Sequence, residues 1–88
     1  MTYVIQPPEQ YRFDPPSVQV LTVAPAQVKA LCDPFNRLPL ASAGCQLVSA
    51  MPKCVVIILD TLPADIQAKV REHEVAHCNG WPADHPRR

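Results

Sequence analysis

The fold is decided by the stretch PADIQAKVREHEVAHCNG, residues 63–80. Side chains suited to a buried face recur in it at spacings of four, three and four residues, which is the period of an α-helix: Ile66, Val70, His73 and His77. Proline suits the first turn of a helix, and glycine suits the left-handed residue that follows the last turn. The pattern therefore predicts a helix over about 63–79, ended by Gly80.

Shorter elements precede this helix. The apolar run Cys54–Leu59 predicts a strand buried on both faces, and the alternating, β-branched run Val18–Val23 predicts a second strand. A short helix is expected over about 26–32, and the irregular connection 34–53 has room for a third strand near 46–48. Together these elements predict the α+β class: a small β-sheet with a backing helix and a C-terminal helix.

The start of the chain differs from the rest in its proline content. Five of the eleven prolines come before Ala26, and proline favours extended backbone. We therefore divide the chain into a proline-rich N-terminal arm, residues 1–17, and a folded domain, residues 18–88. The arm is expected to be a strap packed on the core or, as the alternative, a segment that covers a groove. Its candidate anchors are Tyr3, Ile5, Tyr11 and Phe13.

Length and charge exclude several classes of protein. The chain has 88 residues with eight basic and eight acidic side chains, so its net charge is zero and no basic surface for nucleic acid is expected. The longest apolar run, Cys54–Leu59, is far shorter than the roughly 20 residues of a membrane span. No signal peptide is visible, which leaves a cytoplasmic protein or one exported after removal of a leader.

The most informative string in the chain is His73-Glu-Val-Ala-His77. Four residues advance a helix by about one turn, so the two imidazoles lie on one face and can share a metal ion. Neutral imidazole is a zinc ligand, and catalytic zinc sites typically use three protein ligands plus water. Glu74 lies at the flank of the pair, within reach of a metal-bound water rather than of the metal. The string predicts a Zn2+ site held by His73 and His77.

A third zinc ligand must come from elsewhere in the chain. Gly80 lets the chain reverse after the helix, and Trp81 is expected to cover the helix end. The first side chains that could then reach back to the ion are Asp84 and His85. Histidine is the commoner zinc ligand, so His85 is favoured, with Asp84 orienting it or binding in its place. An upstream carboxylate such as Asp60 is a further candidate.

Residues 73–85, HEVAHCNGWPADH, resemble the active site of zincin metallopeptidases, and most of all the metzincin-like patterns HExxHxxGxxH and HExxHxxGxxD. They are also similar to small bacterial, phage and plasmid-borne proteins that carry HExxHxxGW. The resemblance implies zinc-dependent hydrolysis of peptide bonds. In that reaction His73 and His77 bind the zinc ion, and Glu74 is the general base that acts on a zinc-bound water.

The same resemblance implies a minimal zincin-like fold, in which an edge strand pairs with an extended peptide or protein substrate. Either Val18–Val23 or Cys54–Leu59 could be that strand. Only part of the family pattern is present, because the family's third ligand falls at Ala83 and no methionine turn follows Gly80. The small size of the domain argues for a short or loosely selected peptide, or for a protein partner that completes the substrate cleft.

A non-catalytic role is the alternative. A small interaction or inhibitor protein of phage or plasmid type could keep a zincin-like fold and use its zinc ion structurally. If both Asp84 and His85 bind, four protein ligands close the site, whereas three ligands leave one position for water. An open site therefore favours the enzyme, and a closed site favours the interaction protein.

The chain has four cysteines without CxxC spacing, so a separate thiolate zinc site is not expected: Cys32, Cys45, Cys54 and Cys78. Cys45 and Cys54 flank a short loop and are the predicted disulfide. Cys32 with Cys54 is the other pairing, and free buried thiols are the alternative to both. Cys78 is expected to pack or to form a disulfide rather than to bind metal.

Overall fold

The computed structural model of the protein describes residues 5–32, 43–47, 50–82 and 85–86. After one turn of 3-10 helix at Glu9–Tyr11, these described residues form three strands and two helices. In chain order these are β1 (Val18–Val23), α1 (Pro25–Cys32), β2 (Gly44–Gln46), β3 (Cys54–Leu59) and α2 (Ala64–Cys78). The predicted α+β class is confirmed, and both helices and the two longer strands begin and end within one residue of expectation. Within the described ranges, no helix is long and apolar enough to cross a membrane.

The sheet has the strand order β1-β3-β2, with β3 in the middle. β1 runs parallel to β3, and β2 runs antiparallel to it. The central position explains the apolar composition of β3, because Val56, Ile57 and Ile58 are all buried. Both edges of β3 are occupied by its neighbours, so the expectation that Cys54–Leu59 could pair with a peptide is wrong. The two edges of the sheet are β1 and β2.

Alternation of side chains along β3 divides the core into two layers. The layer between the sheet and α2 consists of Cys54, Val56, Ile58, Val70 and Val75. The layer between the sheet and α1 consists of Val28, Cys32, Cys45 and Ile57. The two helices therefore cover opposite faces, and each packs on both β2 and β3.

Each layer of the core holds one disulfide, Cys32–Cys45 on the α1 side and Cys54–Cys78 on the α2 side. The predicted Cys45–Cys54 bond is therefore wrong, and so are the Cys32–Cys54 alternative and the free thiols. Cys45 lies opposite Ile57 in the antiparallel pair. Ile57 and Cys54 are an odd number of positions apart on β3, so they point to opposite faces of the sheet. Cys45 and Cys54 are separated by the sheet itself.

A glycine lets α2 approach the sheet closely. The strand predicted near 46–48 lies at Gly44–Gln46 instead, and residues 48–49 are outside the described ranges. A Cβ atom on Gly44 would collide with the backbone carbonyl of Ile57 and would press on Val70 of α2. Because glycine is a weak strand former, local sequence does not mark this position as a strand.

Gly44→Ala is expected to lower the free energy of unfolding by about 3 kcal/mol, because the added methyl group overpacks this contact. Gly80→Ala is the matched control, since its Cβ would meet nothing within 4 Å and only the positive φ of 100° opposes it. The control should cost about 1 kcal/mol. Urea unfolding followed by circular dichroism measures both variants. A loss for Gly44→Ala no larger than that of the control would contradict the close packing of α2 on β2.

The described part of the arm contacts α2 and its C-cap, and we call residues 5–14 the strap. The side chain of Asn79 donates to the carbonyls of Tyr11 and Phe13. Arg71 forms a bidentate ion pair with Asp14. These contacts favour the packed strap over an arm that covers a groove.

The predicted anchors of the arm differ in their burial. Ile5 and Tyr11 are partly buried, whereas Phe13 is 56% exposed, so the ring of Phe13 does not anchor the strap. Tyr3 lies outside the described ranges. Pro7, which is not among the predicted anchors, is one of the fully buried side chains.

Candidate metal centre

Three histidines meet at the C-terminal end of α2. His73 and His77 lie one helical turn apart, and their Nε2 atoms are separated by 3.4 Å. The Nε2 atom of His85 lies 3.1 Å from each of the other two. Among the described residues, this is the group of side chains that could hold a metal ion. The structure thus brings together the two helical histidines and the favoured third ligand.

A glycine cap turns the chain at the end of α2. Gly80 has a φ of 100°, and its N–H donates to the carbonyl of His77, while the N–H of Trp81 donates to the carbonyl of Ala76. These two bonds form a Schellman motif, which favours glycine because other residues are strained in the left-handed region. The predicted glycine cap is confirmed, and the chain turns back toward the histidines.

A backbone hydrogen bond holds His85 near the end of α2. Its backbone N–H donates to the carbonyl of Pro82 over 3.0 Å, and its φ is 58°. A non-glycine residue in the left-handed region is uncommon, and such residues cluster at functional sites. The alternative ligand Asp84 lies outside the described ranges. Asp60 is exposed and does not belong to the cluster.

Backbone carbonyls fix the tautomers of the two helical histidines. The Nδ1 atom of His73 lies 2.6 Å from the carbonyl oxygen of Ile5, and that of His77 lies 2.8 Å from the carbonyl oxygen of Trp81. A carbonyl oxygen only accepts hydrogen bonds, so each Nδ1 carries a proton and donates it. In the neutral ring, Nε2 then has a free lone pair, as in a metal-ligating imidazole.

The triangle of Nε2 atoms fits a tetrahedral metal ion. Two nitrogens that each lie about 2.1 Å from one zinc ion, at the tetrahedral angle, are about 3.4 Å apart. The separations here are 3.4, 3.1 and 3.1 Å. With neutral rings, His85 can donate at most one proton to one neighbour, which leaves other lone pairs facing each other. A shared cation removes that repulsion, so the donor set fits zinc.

Burial keeps the helical histidines neutral. Desolvation lowers the pKa of both His73 and His77 below the usual 6.5. The hydrogen bonds to the carbonyls of Ile5 and Trp81 oppose this shift, and the charge of neighbouring histidines adds to it. Neutral imidazole is the form that binds a metal ion, so both rings are ready to bind at neutral pH.

Trp81 packs against all three histidines. The residue is only 2% exposed, and its ring stacks on His77 with the centroids 4.9 Å apart. The His73 and His85 rings approach it edge-on, at 5.0 and 4.9 Å. Its indole N–H donates to the carbonyl of Pro86. The expected cover of the helix end is confirmed. The contacts of Trp81 with the three histidines could not be predicted from the sequence, which shows only that Trp81 follows the glycine cap.

Glu74 follows His73 on α2 but is not one of the clustered ligands. Its carboxyl group is hydrogen-bonded by the backbone N–H of Gln46, which lies on the edge strand β2. Burial raises the pKa of Glu74 to about 8, and this hydrogen bond opposes the rise. A carboxyl group with a pKa near neutrality can both accept and donate a proton under physiological conditions.

Comparisons with protein-family models, curated proteins and solved structures found no match to this chain. No family is therefore assigned to it. The similarity of residues 73–85 to zincin metallopeptidases stays a resemblance, and the function has to be argued from the geometry of the site.

Zinc loading followed by dialysis is expected to leave about one zinc ion per chain, as measured by mass spectrometry of the metal content. His77→Ala removes one of the three converging nitrogens and should lose the ion. Glu74→Gln should keep it, because Glu74 is outside the ligand cluster. Trp81 is the only tryptophan of the chain, so quenching of its fluorescence by Co2+ gives a second measure. A wild-type chain that stays metal-free after zinc addition would overturn the site.

The buried carboxyl group of Glu74 should make the stability of the metal-free protein depend on pH. Its pKa is about 8 in the folded chain, against an ordinary value of 4.5. Between these values the folded chain binds more protons than the unfolded chain, so the free energy of unfolding falls as pH rises. Glu74→Gln lacks this titration.

Urea unfolding of both proteins in a metal chelator measures the effect. The stability of the wild type relative to Glu74→Gln should decline from about pH 5 to about pH 8 and then level off. The histidines titrate in both proteins, so their contribution cancels in the difference. A difference that stays constant over this range would show that Glu74 titrates normally.

Proposed function

We propose that this protein is a zinc-dependent metallopeptidase that hydrolyses peptide bonds. The observation that carries the proposal is the convergence of three Nε2 atoms, from His73, His77 and His85, within 3.4 Å of one another. Glu74 adds a carboxyl group that can exchange a proton near neutral pH. Three protein ligands that leave a position for water, with a group nearby that can move a proton, are suited to zinc-dependent hydrolysis.

His73, His77 and His85 would hold the zinc ion. Imidazole binds several transition metals, and the zincin resemblance of residues 73–85 favours zinc among them. When bound, zinc lowers the pKa of water and polarises a carbonyl group. The hydrogen bonds from the two Nδ1 atoms of α2 to backbone carbonyls keep those rings in the metal-binding tautomer.

Glu74 is the proposed general base. With a pKa of about 8, the group is largely protonated at neutral pH in the metal-free protein. A divalent cation nearby favours the carboxylate form by charge attraction. The carboxylate then accepts a proton from the attacking water and returns it to the amine that leaves when the peptide bond breaks. The N–H of Gln46 orients the group during this transfer.

The edge strand β2 is the proposed binding strand for the substrate. β2 packs against α2, and its last residue, Gln46, contacts Glu74. An extended peptide can add to such an edge through backbone hydrogen bonds. On this proposal the sheet, the backing helix α1 and the ligand helix α2 correspond to the parts of a minimal zincin-like domain. β2 has only three residues, which suits a short peptide segment or a protein partner that completes the cleft.

The disulfides favour an oxidising compartment for this reaction. Two of them are present, one in each layer of the core. Disulfide-rich small domains are typical of secreted and periplasmic proteins. Of the two locations that the sequence leaves open, we therefore propose the exported one.

Structural zinc in a non-catalytic interaction protein is the second candidate function. The hydrogen bond between Glu74 and Gln46 is the observation that favours it, because a carboxyl group bound to a strand can serve packing alone. In that case the histidines would still bind zinc. The two candidates therefore differ in hydrolysis and not in metal content.

The decisive experiment incubates the zinc-loaded protein with a library of internally quenched fluorescent peptides. The wild type should cleave a subset of them and should lose activity in a chelator. Glu74→Gln should retain zinc but lose at least about 100-fold in rate, which is the contribution expected of a general base. Cleavage that persists at the same rate in Glu74→Gln would refute the proposed mechanism. Zinc binding without cleavage of any peptide would favour the interaction protein.

A further inference from the structure

The strap is hydrogen-bonded to one of the proposed metal ligands, His73. The carbonyl of Ile5 accepts the Nδ1 proton of His73 over 2.6 Å, and the two residues are 68 positions apart in the chain. Nδ1 lies on the side of the ring away from the direction in which Nε2 meets the other histidines. The contact therefore sets the tautomer and orientation of the His73 ring without occupying the position where a metal ion would bind.

The strap is a compact unit of its own. The N–H groups of Tyr11 and Arg12 donate to the carbonyls of Pro8 and Glu9, each over 3.0 Å. The Arg12 guanidinium group also donates to the carbonyl of Pro7 over 2.8 Å. Because Pro7 is fully buried and only one residue separates it from Ile5, movement of this unit also displaces the Ile5 carbonyl.

Besides His73, two side chains bind the strap, Arg71 of α2 and Asn79 at the C-cap of that helix. Asn79 donates from its Nδ2 atom to the carbonyl of Tyr11 over 2.9 Å and to that of Phe13. Arg71 pairs with Asp14, but this ion pair is exposed, and exposed pairs contribute little. Apart from His73 itself, Asn79 is therefore the main side chain that binds the strap.

The geometry points to Asn79 and the carbonyl of Ile5 as positioning groups of the metal site, through which docking of the strap and binding of the metal strengthen each other. This inference rests on the proposed zinc site and concerns its regulation. Hydrogen-bond partners of metal ligands typically change metal affinity by about 10–100-fold. Because coupling is reciprocal, the metal must tighten the docked strap by the same factor by which the strap tightens the metal.

Asn79→Ala in the full chain tests this coupling, and Gln67→Ala is its matched control. Gln67 lies on α2, and like Asn79 at the C-cap it donates from its side-chain amide to two backbone carbonyls, those of Asp60 and Leu62. These carbonyls belong to the turn before α2 and not to the strap. Both variants thus lose an amide that ties the helix to a neighbouring segment, and only Asn79→Ala releases the strap.

Zinc affinity and the tautomer of His73 are the two readouts. Competition with a chromogenic chelator should show that Asn79→Ala binds zinc about tenfold more weakly than the wild type, whereas Gln67→Ala is unchanged. Long-range proton–nitrogen NMR of the metal-free proteins should show the Nδ1–H form of His73 in wild type and control, and a mixture of tautomers in Asn79→Ala. Equal affinity and an unchanged tautomer in Asn79→Ala would overturn the inference.

Hydrogen exchange of the wild type provides a test that needs no variant. The amides of Tyr11 and Arg12 are bonded within the strap, so zinc should slow their exchange by about the same tenfold factor. Exchange that is identical with and without zinc would also overturn the inference, even if Asn79→Ala failed to fold.

The outcomes separate this inference from the proposed function. A wild type that binds no zinc would overturn both. Zinc binding and peptide cleavage without coupling to the strap would overturn only the inference. Coupling to the strap without peptide cleavage would support the inference and overturn the peptidase.

Discussion

The arrangement of the domain depends on the alternation of side chains along β3. Side chains that face α2 cannot face α1, because successive residues of a strand point to opposite faces. This constraint assigns Cys54 to the layer of Cys78 and Ile57 to the layer of Cys32 and Cys45. It also fixes α2 against the sheet, with its C-terminal end joined to the start of β3 by a disulfide. The histidines therefore project from a helix that packs on the sheet and whose last residue, Cys78, is bonded to β3.

Local patterns in the sequence were sufficient for most of the fold. The strands Val18–Val23 and Cys54–Leu59 follow from runs of β-branched and apolar residues, and α2 follows from a helical spacing closed by glycine. The strand at Gly44–Gln46 and the disulfide pairing depend instead on register. Register is set by contacts between distant segments, and two cysteines near each other in sequence can still lie on opposite faces of a sheet.

The metal site was likewise predictable only in part. His73 and His77 can be read from their spacing, and His85 from the reversal of the chain after Gly80. The support of His73 by Ile5 cannot be read in this way, because the two residues are 68 positions apart and the contact uses a backbone carbonyl that any residue could supply. The contacts of Trp81 with the histidines likewise depend on how the tail folds back over the helix end.

The contacts of Ile5 and His85 make the centre depend on segments that are far apart in the sequence. Ile5 lies behind His73 at a separation of 68 positions, and His85 completes the triangle of nitrogens at a separation of 12. Segments outside helices and strands are usually the ones that best tolerate added or deleted residues. Here two such segments form part of the centre, so an insertion beside Ile5 or His85 would disturb the histidines as much as a change within α2.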